Sequence, residues 1–235
     1  MVFLIAEIGV NWDGDFVLVE QMIRKAKEFG FNAVKFQAYN LEIVKEHPES
    51  SRLMKSTITK ENIAKIDELA KKNGIEWFCT PMYLDAVDFV DPYVKRFKIR
   101  FSEGSKFVEN NSNELVEKIL GKNKETIISS EKTPEKCNQY ENPKIKWLYC
   151  VPKYPCSISD FNFSDLGLFN GFSNHCPKII APITASILGA EIIEIHVTSD
   201  KSKDFIDNPV SFDYEEQKII LKHIREIEKM NLRKN

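Results

Sequence analysis

Hydrophobic and polar residues follow a repeating pattern along this chain. Short runs rich in Val, Ile and Phe predict strands, and most are followed by a stretch with apolar residues at helical spacing, which predicts a helix. The eight predicted strands cover residues 2–10, 31–39, 75–82, 93–101, 125–130, 145–151, 171–175 and 192–198. The clearest predicted helices cover residues 16–29, 59–72, 84–90, 113–120, 178–189 and 213–230.

The connections between these elements differ in length. Residues 40–57 form a long polar connection, which we interpret as a loop on the active face rather than a domain boundary. Thr59-Lys-Glu-Asn62 offers an N-cap for the helix that follows it, and Gly74 a signal for that helix's C-terminus. Residues 133–139 predict a turn or short helix, and residues 157–169 at best a short helix.

Eight strand–helix units without a break in composition predict an α/β fold, a (β/α)8 TIM barrel that forms a single domain over residues 1–235. The length of 235 residues is close to the roughly 250 typical of this barrel. An open doubly wound sheet is the alternative architecture. It more often carries a Gly-rich phosphate turn after the first strand, where this chain has Ile8-Gly-Val-Asn-Trp-Asp-Gly14.

Composition narrows the classes of partner. The formal net charge of −2 gives no basis for binding nucleic acid or an anionic membrane surface. No apolar run approaches the roughly 18 residues that a membrane span requires. The five cysteines are odd in number and lack CxxC spacing, which indicates reduced thiols and a cytoplasmic location.

Polar residues occupy alternating positions on several predicted strands, where an ionisable side chain is costly unless a site uses it. His175 and His196 each end a short apolar run, and on neighbouring parallel strands they would lie side by side. Two neutral imidazoles can hold a divalent metal, although each could instead be a hydrogen-bonded core histidine. We favour the metal site because the two histidines occupy matching places in successive units.

An anion pocket is predicted beside these histidines. Lys35, Lys98, Ser129 and Ser173 would converge at one barrel mouth, because side chains at the carboxyl ends of barrel strands share that face. Ammonium and hydroxyl groups suit phosphate or carboxylate oxygens. With Glu7 nearby, the set indicates a metal-assisted reaction of a phosphorylated small molecule, although Glu7 and Lys35 could form only a buried salt bridge.

An ordered series of short segments covers nearly the whole chain and resembles the sialic acid synthase (N-acetylneuraminate synthase) family, whose members condense phosphoenolpyruvate. The segments are Ile5-Ala-Glu-Ile-Gly-Val-Asn11, Ala33-Val-Lys-Phe-Gln37, Phe78-Cys-Thr-Pro81, Phe97-Lys-Ile99, Ile127-Ile-Ser129, Tyr154-Pro155, Gly171-Phe-Ser-Asn-His175 and Glu194-Ile-His-Val-Thr198.

This resemblance implies condensation of phosphoenolpyruvate with N-acetylmannosamine or a related N-acetyl amino sugar, which gives a nine-carbon 2-keto sugar acid and phosphate. It implies that His175 and His196 bind Mn²⁺ or Mg²⁺ and, with Glu7, act in catalysis. The resemblance also implies a homodimer or a separately encoded cap domain as partner. Its implied substrate-binding residues are Lys35, Gln37, Thr80, Lys98, Ser129, Tyr154, Ser173 and Asp207.

The chain departs from the family pattern in places that bear on the acceptor. A serine of the family is Phe101 here, with Ser102 after it, and an asparagine expected two residues before Tyr154 is Pro152. Typical members continue past the barrel into an antifreeze-like domain, whereas this sequence stops at Asn235, so we expect the barrel domain only.

Two further functions remain open at this stage. A catalytically divergent barrel could bind an anion or a sugar, or serve as an assembly partner, without condensing anything. A different metal-dependent aldol reaction on the same scaffold is a third hypothesis.

Overall fold

Eight parallel strands form a closed barrel in the structure, a computed structural model that describes residues 1–230. Each strand pairs with its sequence neighbours, and β8 returns to pair with β1. The strands are β1 (Phe3–Glu7), β2 (Ala33–Ala38), β3 (Glu76–Pro81), β4 (Arg96–Ile99), β5 (Glu125–Ser130), β6 (Ile145–Tyr149), β7 (Gly171–Asn174) and β8 (Ile192–His196). The predicted fold class is confirmed.

Helices connect the strands and cover the outside of the barrel. They are α1 (Phe16–Phe29), α2 (Leu41–Val44), α3 (Ser50–Ser56), α4 (Ile63–Lys72), α5 (Leu84–Val90), α6 (Phe101–Phe107), α7 (Glu114–Gly121), α8 (Ile180–Ile187) and α9 (Tyr214–Lys229). Within residues 1–230, none of them is long and apolar enough to pass through a membrane.

The structure differs in detail from three local predictions, although the N-cap of α4, Asn62, lies within the predicted stretch. The fourth strand ends at Ile99, because Arg100 takes an extended N-cap conformation and Phe101 begins α6. The 40–57 connection contains α2 and α3, both too short for a periodic pattern to reveal. Thr59 does not begin α4: its backbone N–H donates to the Asn62 side chain in a turn, and the helix begins at Ile63.

The register of the closed sheet positions the polar side chains. Glu7 on β1 lies opposite Lys35 on β2 and opposite His196 on β8. Ser173 on β7 lies opposite Glu194 on β8. Because closure makes the last strand a neighbour of the first, residues far apart in sequence meet at the carboxyl end of the barrel.

Gly171 allows β7 and β8 to approach closely just below these polar residues. A Cβ atom built on Gly171 would lie 1.9 Å from the carbonyl oxygen of Ile192, far inside van der Waals contact. The two backbones would have to separate, and the pairing that aligns Ser173 with Glu194 would be disturbed. The absence of a side chain at this position is therefore a requirement of the barrel.

We predict that Gly171→Ala lowers the free energy of unfolding by about 3 kcal/mol, since overpacking forces the backbone to shift. Gly121→Ala is the matched control, because a Cβ atom there has no neighbour within 4 Å, and its effect should stay within about 0.5 kcal/mol. Urea denaturation followed by circular dichroism measures both. Equal stabilities for the two variants would contradict the close approach.

Candidate active site

A cavity of about 390 Å³ opens at the carboxyl-terminal ends of the strands. This is the face of a (β/α)8 barrel on which active sites are found. Its lining residues are Glu7, Lys35, Gln37, Thr80, Met82, Lys98, Arg100, Phe101, Ser102, Ser129, Cys150, Tyr154, Ser173, His175, Glu194, His196 and Asp207.

Lys35 lies at the floor of this cavity between two buried carboxylates. Its Nζ atom is 3.1 Å from Glu7 Oε1 and 3.5 Å from Glu194 Oε1, and it donates to Thr80 Oγ1 at 3.3 Å. Gln37 Nε2 donates to Glu7 Oε1 at 2.7 Å. The ammonium group thus holds strands β1, β2 and β8 together through charge as well as through backbone pairing.

The two carboxylates have opposite pKa shifts although both are buried. Burial raises the pKa of Glu7 and outweighs the attraction of Lys35. Burial also opposes ionisation of Glu194, but Lys35 and Lys98 together prevail and lower its pKa to about 2. Of the two carboxyl groups, Glu194 is therefore held more firmly in its ionised form, and Glu7 is the stronger base.

One oxygen of each carboxyl group faces no protein donor. Glu7 Oε2 and Glu194 Oε2 are buried and have no hydrogen-bond partner among the described residues. Buried polar atoms in native proteins are nearly always satisfied by protein, water or ligand. The two oxygens therefore mark where a hydrogen-bonding ligand or water is needed.

Lys98, Ser129 and Ser173, predicted from the sequence to bind an anion, line the same cavity. Lys98 Nζ donates to Ser129 Oγ at 2.6 Å, and Ser173 Oγ donates to Glu194 Oε1 at 3.0 Å. Burial lowers the pKa of Lys98, and Glu194, 3.9 Å away, only partly offsets this effect. A bound anion would supply the counter-charge that Lys98 lacks.

His175 and His196 lie side by side at the ends of β7 and β8, with ring centroids 5.4 Å apart. Burial lowers the pKa of His175 to about 3, so its imidazole is neutral. Burial acts in the same direction on His196, but the hydrogen bond to Asp207 outweighs it and raises the pKa. The predicted histidine pair is thus present at one cavity wall.

The residues present fit a divalent metal. Nδ1 of His175 lies 3.3 Å from the Val151 carbonyl oxygen, and Nδ1 of His196 lies 3.2 Å from Asp207 Oδ2. A hydrogen-bonded Nδ1 leaves Nε2 for a metal, the arrangement usual for ligating histidines. Between residues 1 and 230 no group of three or more His, Cys, Asp or Glu side chains could hold an ion. An ion here would have two protein ligands and positions open to substrate.

The loop after β8 carries Asp207 and is joined to the loop after β1 by Asn11. Asn11 Nδ2 donates to the Val197 carbonyl oxygen and to Ser211 Oγ, both at 2.9 Å, and Asn11 Oδ1 accepts from the Asp207 backbone N–H. Ser211 Oγ in turn donates to the Asp207 carbonyl oxygen at 2.7 Å. Asn11 thereby positions the carboxylate that contacts His196.

Tyr154 crosses above the histidine pair. Its ring centroid lies 4.9 Å from that of His175, and its hydroxyl is 3.4 Å from His196 Nδ1. The residue is 46% exposed, so it forms part of the cavity mouth. Pro152, which replaces an expected asparagine, does not line the cavity.

All residues assigned to the site from sequence line this one cavity, although their individual roles stay predictions. The residues that the assignment omitted are Asn11, Met82, Arg100, Phe101, Ser102, Cys150 and Glu194. For Glu194 the alternation with His196 on one face of β8 was a usable signal. The sequence contains no signal that would place Cys150 in the cavity, because a buried thiol usually packs as a small hydrophobic side chain.

The fold and the site define a (β/α)8-barrel protein with a polar cavity at the carboxyl ends of its strands. The chain belongs to the NeuB family, whose model matches residues 22–235, and its named relatives are synthases, which makes it a carbon–carbon bond-forming transferase.

Known relatives extend over almost the whole chain. An uncharacterized protein of Methanocaldococcus jannaschii is 32% identical over 97% of this chain and 71% of its own length. The N,N'-diacetyllegionaminic acid synthase of Legionella pneumophila is 29% identical over 96% of this chain and 72% of its own. The crystal structure of the N-acetylneuraminic acid synthetase of Leptospira borgpetersenii, in complex with citrate, superposes with a TM-score of 0.85. It is 28% identical and covers 97% of this chain and 84% of that one.

We predict that Lys35→Met lowers the free energy of unfolding by about 3 kcal/mol, because it leaves two buried carboxylates without their shared counter-ion. Lys65→Met is the control. Lys65 forms an exposed pair with Glu68 on α4, and its loss should cost no more than about 0.5 kcal/mol. Urea denaturation at neutral pH compares them. Similar losses in both variants would show that the buried network is not held by Lys35.

Proposed function

We propose that this chain condenses phosphoenolpyruvate with an N-acetyl amino sugar, N-acetylmannosamine or a relative, to give a nine-carbon 2-keto sugar acid and phosphate. The observation that carries the proposal is the convergence of Lys35, Lys98, Ser129 and Ser173 on one cavity at the barrel mouth. Membership of the NeuB family and the synthase names of the relatives support it.

The chain's cations and hydroxyls would bind the donor. Among the described residues, the carboxylate partner of Lys98 is Glu194, 3.9 Å away. A phosphoryl or carboxylate oxygen of phosphoenolpyruvate near Lys98 would therefore offset the free-energy cost of burying its charge. Ser129 adds a hydroxyl donor on the same side, because its oxygen accepts from Lys98 and its proton stays available, whereas Ser173 would have to release Glu194 in order to donate. The ammonium group of Lys35 would offset the negative charge of Glu7 and Glu194 at the cavity floor while negative charge moves between the substrate atoms during the reaction.

The reaction forms one carbon–carbon bond and consumes one water. C3 of the enolpyruvate attacks the aldehyde carbon of the sugar, and the alkoxide oxygen takes up a proton. Water adds to C2, and the C2–O bond of the tetrahedral intermediate breaks to release phosphate. Glu7, whose pKa is raised by burial, would accept the proton of that water or stabilise the positive charge at C2. Gln37 fixes its carboxyl group.

His175 and His196 would hold Mn²⁺ or Mg²⁺. Such an ion, when bound, polarises the sugar's aldehyde oxygen as a Lewis acid. The chain's own part is to fix the tautomer of both rings, through the Val151 carbonyl oxygen and through Asp207. Tyr154 and Asp207 stand over the rings, where they would orient the sugar.

The cellular location and the protein partner are part of the same proposal. All five cysteines are buried and free, which suits the reducing cytoplasm. The proposed protein partner is a second copy of the chain, which would complete the acceptor side of the open mouth.

One observation favours a second candidate function. Phe101 lines the cavity where the family pattern has a serine, so an apolar ring replaces a hydroxyl close to Lys98. Such a barrel could bind a phosphoenolpyruvate-like anion or a sugar without condensing them.

We predict that the protein with Mn²⁺ releases phosphate from phosphoenolpyruvate when a suitable acceptor is present. A colorimetric phosphate assay across N-acetylmannosamine, its 6-phosphate and di-N-acetylated hexoses measures this, with donor alone as the control. Binding of phosphoenolpyruvate without turnover on any acceptor would favour the second candidate.

We predict that His196→Ala abolishes metal-dependent turnover and lowers Mn²⁺ affinity at least about tenfold, because one of two protein ligands is lost. His223→Ala is the matched control, since His223 is an exposed histidine on α9. Equilibrium dialysis with Mn²⁺ gives a readout that does not depend on activity. Unchanged Mn²⁺ binding in His196→Ala would remove the histidine pair from the metal site.

A further inference from the structure

Arg100 stands at the lip of the cavity and has no role in the binding scheme above. It follows Lys98 by two residues along extended backbone, so its side chain continues the same face about 7 Å nearer the solvent. Its side chain is 41% exposed and lines the same cavity as Lys98 and Ser129. Its guanidinium is therefore available to whatever enters.

The side-chain charges deeper in the cavity do not balance the proposed donor. Nζ of Lys35 lies 3.1 Å from Glu7 Oε1 and 3.5 Å from Glu194 Oε1, and Nζ of Lys98 lies 3.9 Å from Glu194 Oε1, so both ammonium groups already face carboxyl groups of the protein. Phosphoenolpyruvate adds a carboxylate and a phosphoryl group of about −1.5 to −2 charge at pH 7. A further cation near the phosphoryl group would reduce this excess of negative charge.

The hydrogen bonds of Arg100 leave part of its guanidinium free. Nε and Nη2 donate to the carboxylate of Glu103 at 2.8 and 3.0 Å. Among residues 1–230, the one acceptor of Nη1 is the Met82 sulfur, 3.4 Å away, and a thioether sulfur is a weak acceptor. Because a guanidinium has five N–H donors, the group can bind an oxyanion while it keeps a contact with Glu103.

We infer that Arg100 is a further anion-binding residue of this site, whose guanidinium binds the phosphoryl oxygens of phosphoenolpyruvate at the cavity lip. The inference rests on the donor half of the proposed function. Glu103, which does not line the cavity, competes for Arg100 when the site is empty.

Isothermal titration calorimetry with phosphoenolpyruvate and with inorganic phosphate, both without acceptor, tests this inference. Arg100→Met should raise both dissociation constants about fivefold, the effect of losing one partly exposed charge pair. Arg100→Lys should give a smaller increase, because it keeps the charge but loses the planar fork. Glu103→Gln should lower both constants, because it releases the guanidinium.

The two substitutions, Arg100→Met and Glu103→Gln, should change the dissociation constants in opposite directions, which distinguishes ligand binding from a structural role. If the Arg100–Glu103 pair served only to hold α6, Arg100→Met and Glu103→Gln would lower the melting temperature together and shift binding in the same direction or not at all. Either result would overturn the inference. Arg52→Met is the matched control, since Arg52 is an ion-paired arginine outside this cavity, and it should leave both constants unchanged.

The failure of the inference differs from the failure of the proposed function. Tight binding of phosphoenolpyruvate that does not depend on Arg100 overturns the inference and leaves the proposed function in place. A wild-type protein that binds neither probe overturns both. Arg100-dependent binding without turnover on any acceptor supports the inference and contradicts only the proposed condensation activity.

Discussion

A single buried ammonium group, that of Lys35, makes the rest of the site stable. Two carboxyl groups lie within 3.5 Å of it, and all three side chains are almost fully buried. Removing water from such charges costs several kcal/mol for each ion unless opposite charges replace the solvent. Glu7 and Glu194 can face the same cavity because Lys35 lies between them, and the position of Lys35 is set by its register on β2.

Barrel closure is what brings these groups together. Glu7 on β1 contacts strands from both ends of the chain, with Lys35 on one side and His196 on the other. Small residues make the close packing possible. A Cβ atom on Gly171 would meet β8 at 1.9 Å, and one on Gly104 in α6 would meet the Ser129 carbonyl oxygen at 2.1 Å. Gly171 precedes Ser173 on β7, and Gly104 packs against the backbone of Ser129, so both glycines lie next to residues of the site.

Much of the fold was predictable because short apolar runs recur along the chain between stretches of helical spacing, and because β2, β4 and β8 carry polar residues on one alternating face. The side chains that line the cavity were predictable for the same reason, as with Lys98 and His196. What was missed depends on short-range geometry that a pattern does not contain. The start of α6 at Phe101 rests on the backbone of Arg100, and the Asn11 contacts join loops at opposite ends of the chain. The importance of Glu194 was visible in the alternation of β8 but required the distances to Lys35 and Lys98.

The opposite pKa shifts of Glu7 and Glu194 give the two carboxyl groups different roles in the site. Two ammonium groups act on Glu194 and lower its pKa, and Glu194 in turn favours the charged forms of Lys35 and Lys98. Glu7 has one ammonium neighbour among the described residues, and burial prevails over its attraction. In the proposed reaction, an anion bound near Lys98 would add negative charge and raise the pKa of Glu7 further. A higher pKa makes the ionised Glu7 a stronger base, so the charge of the bound donor would help this carboxylate to accept a proton from water.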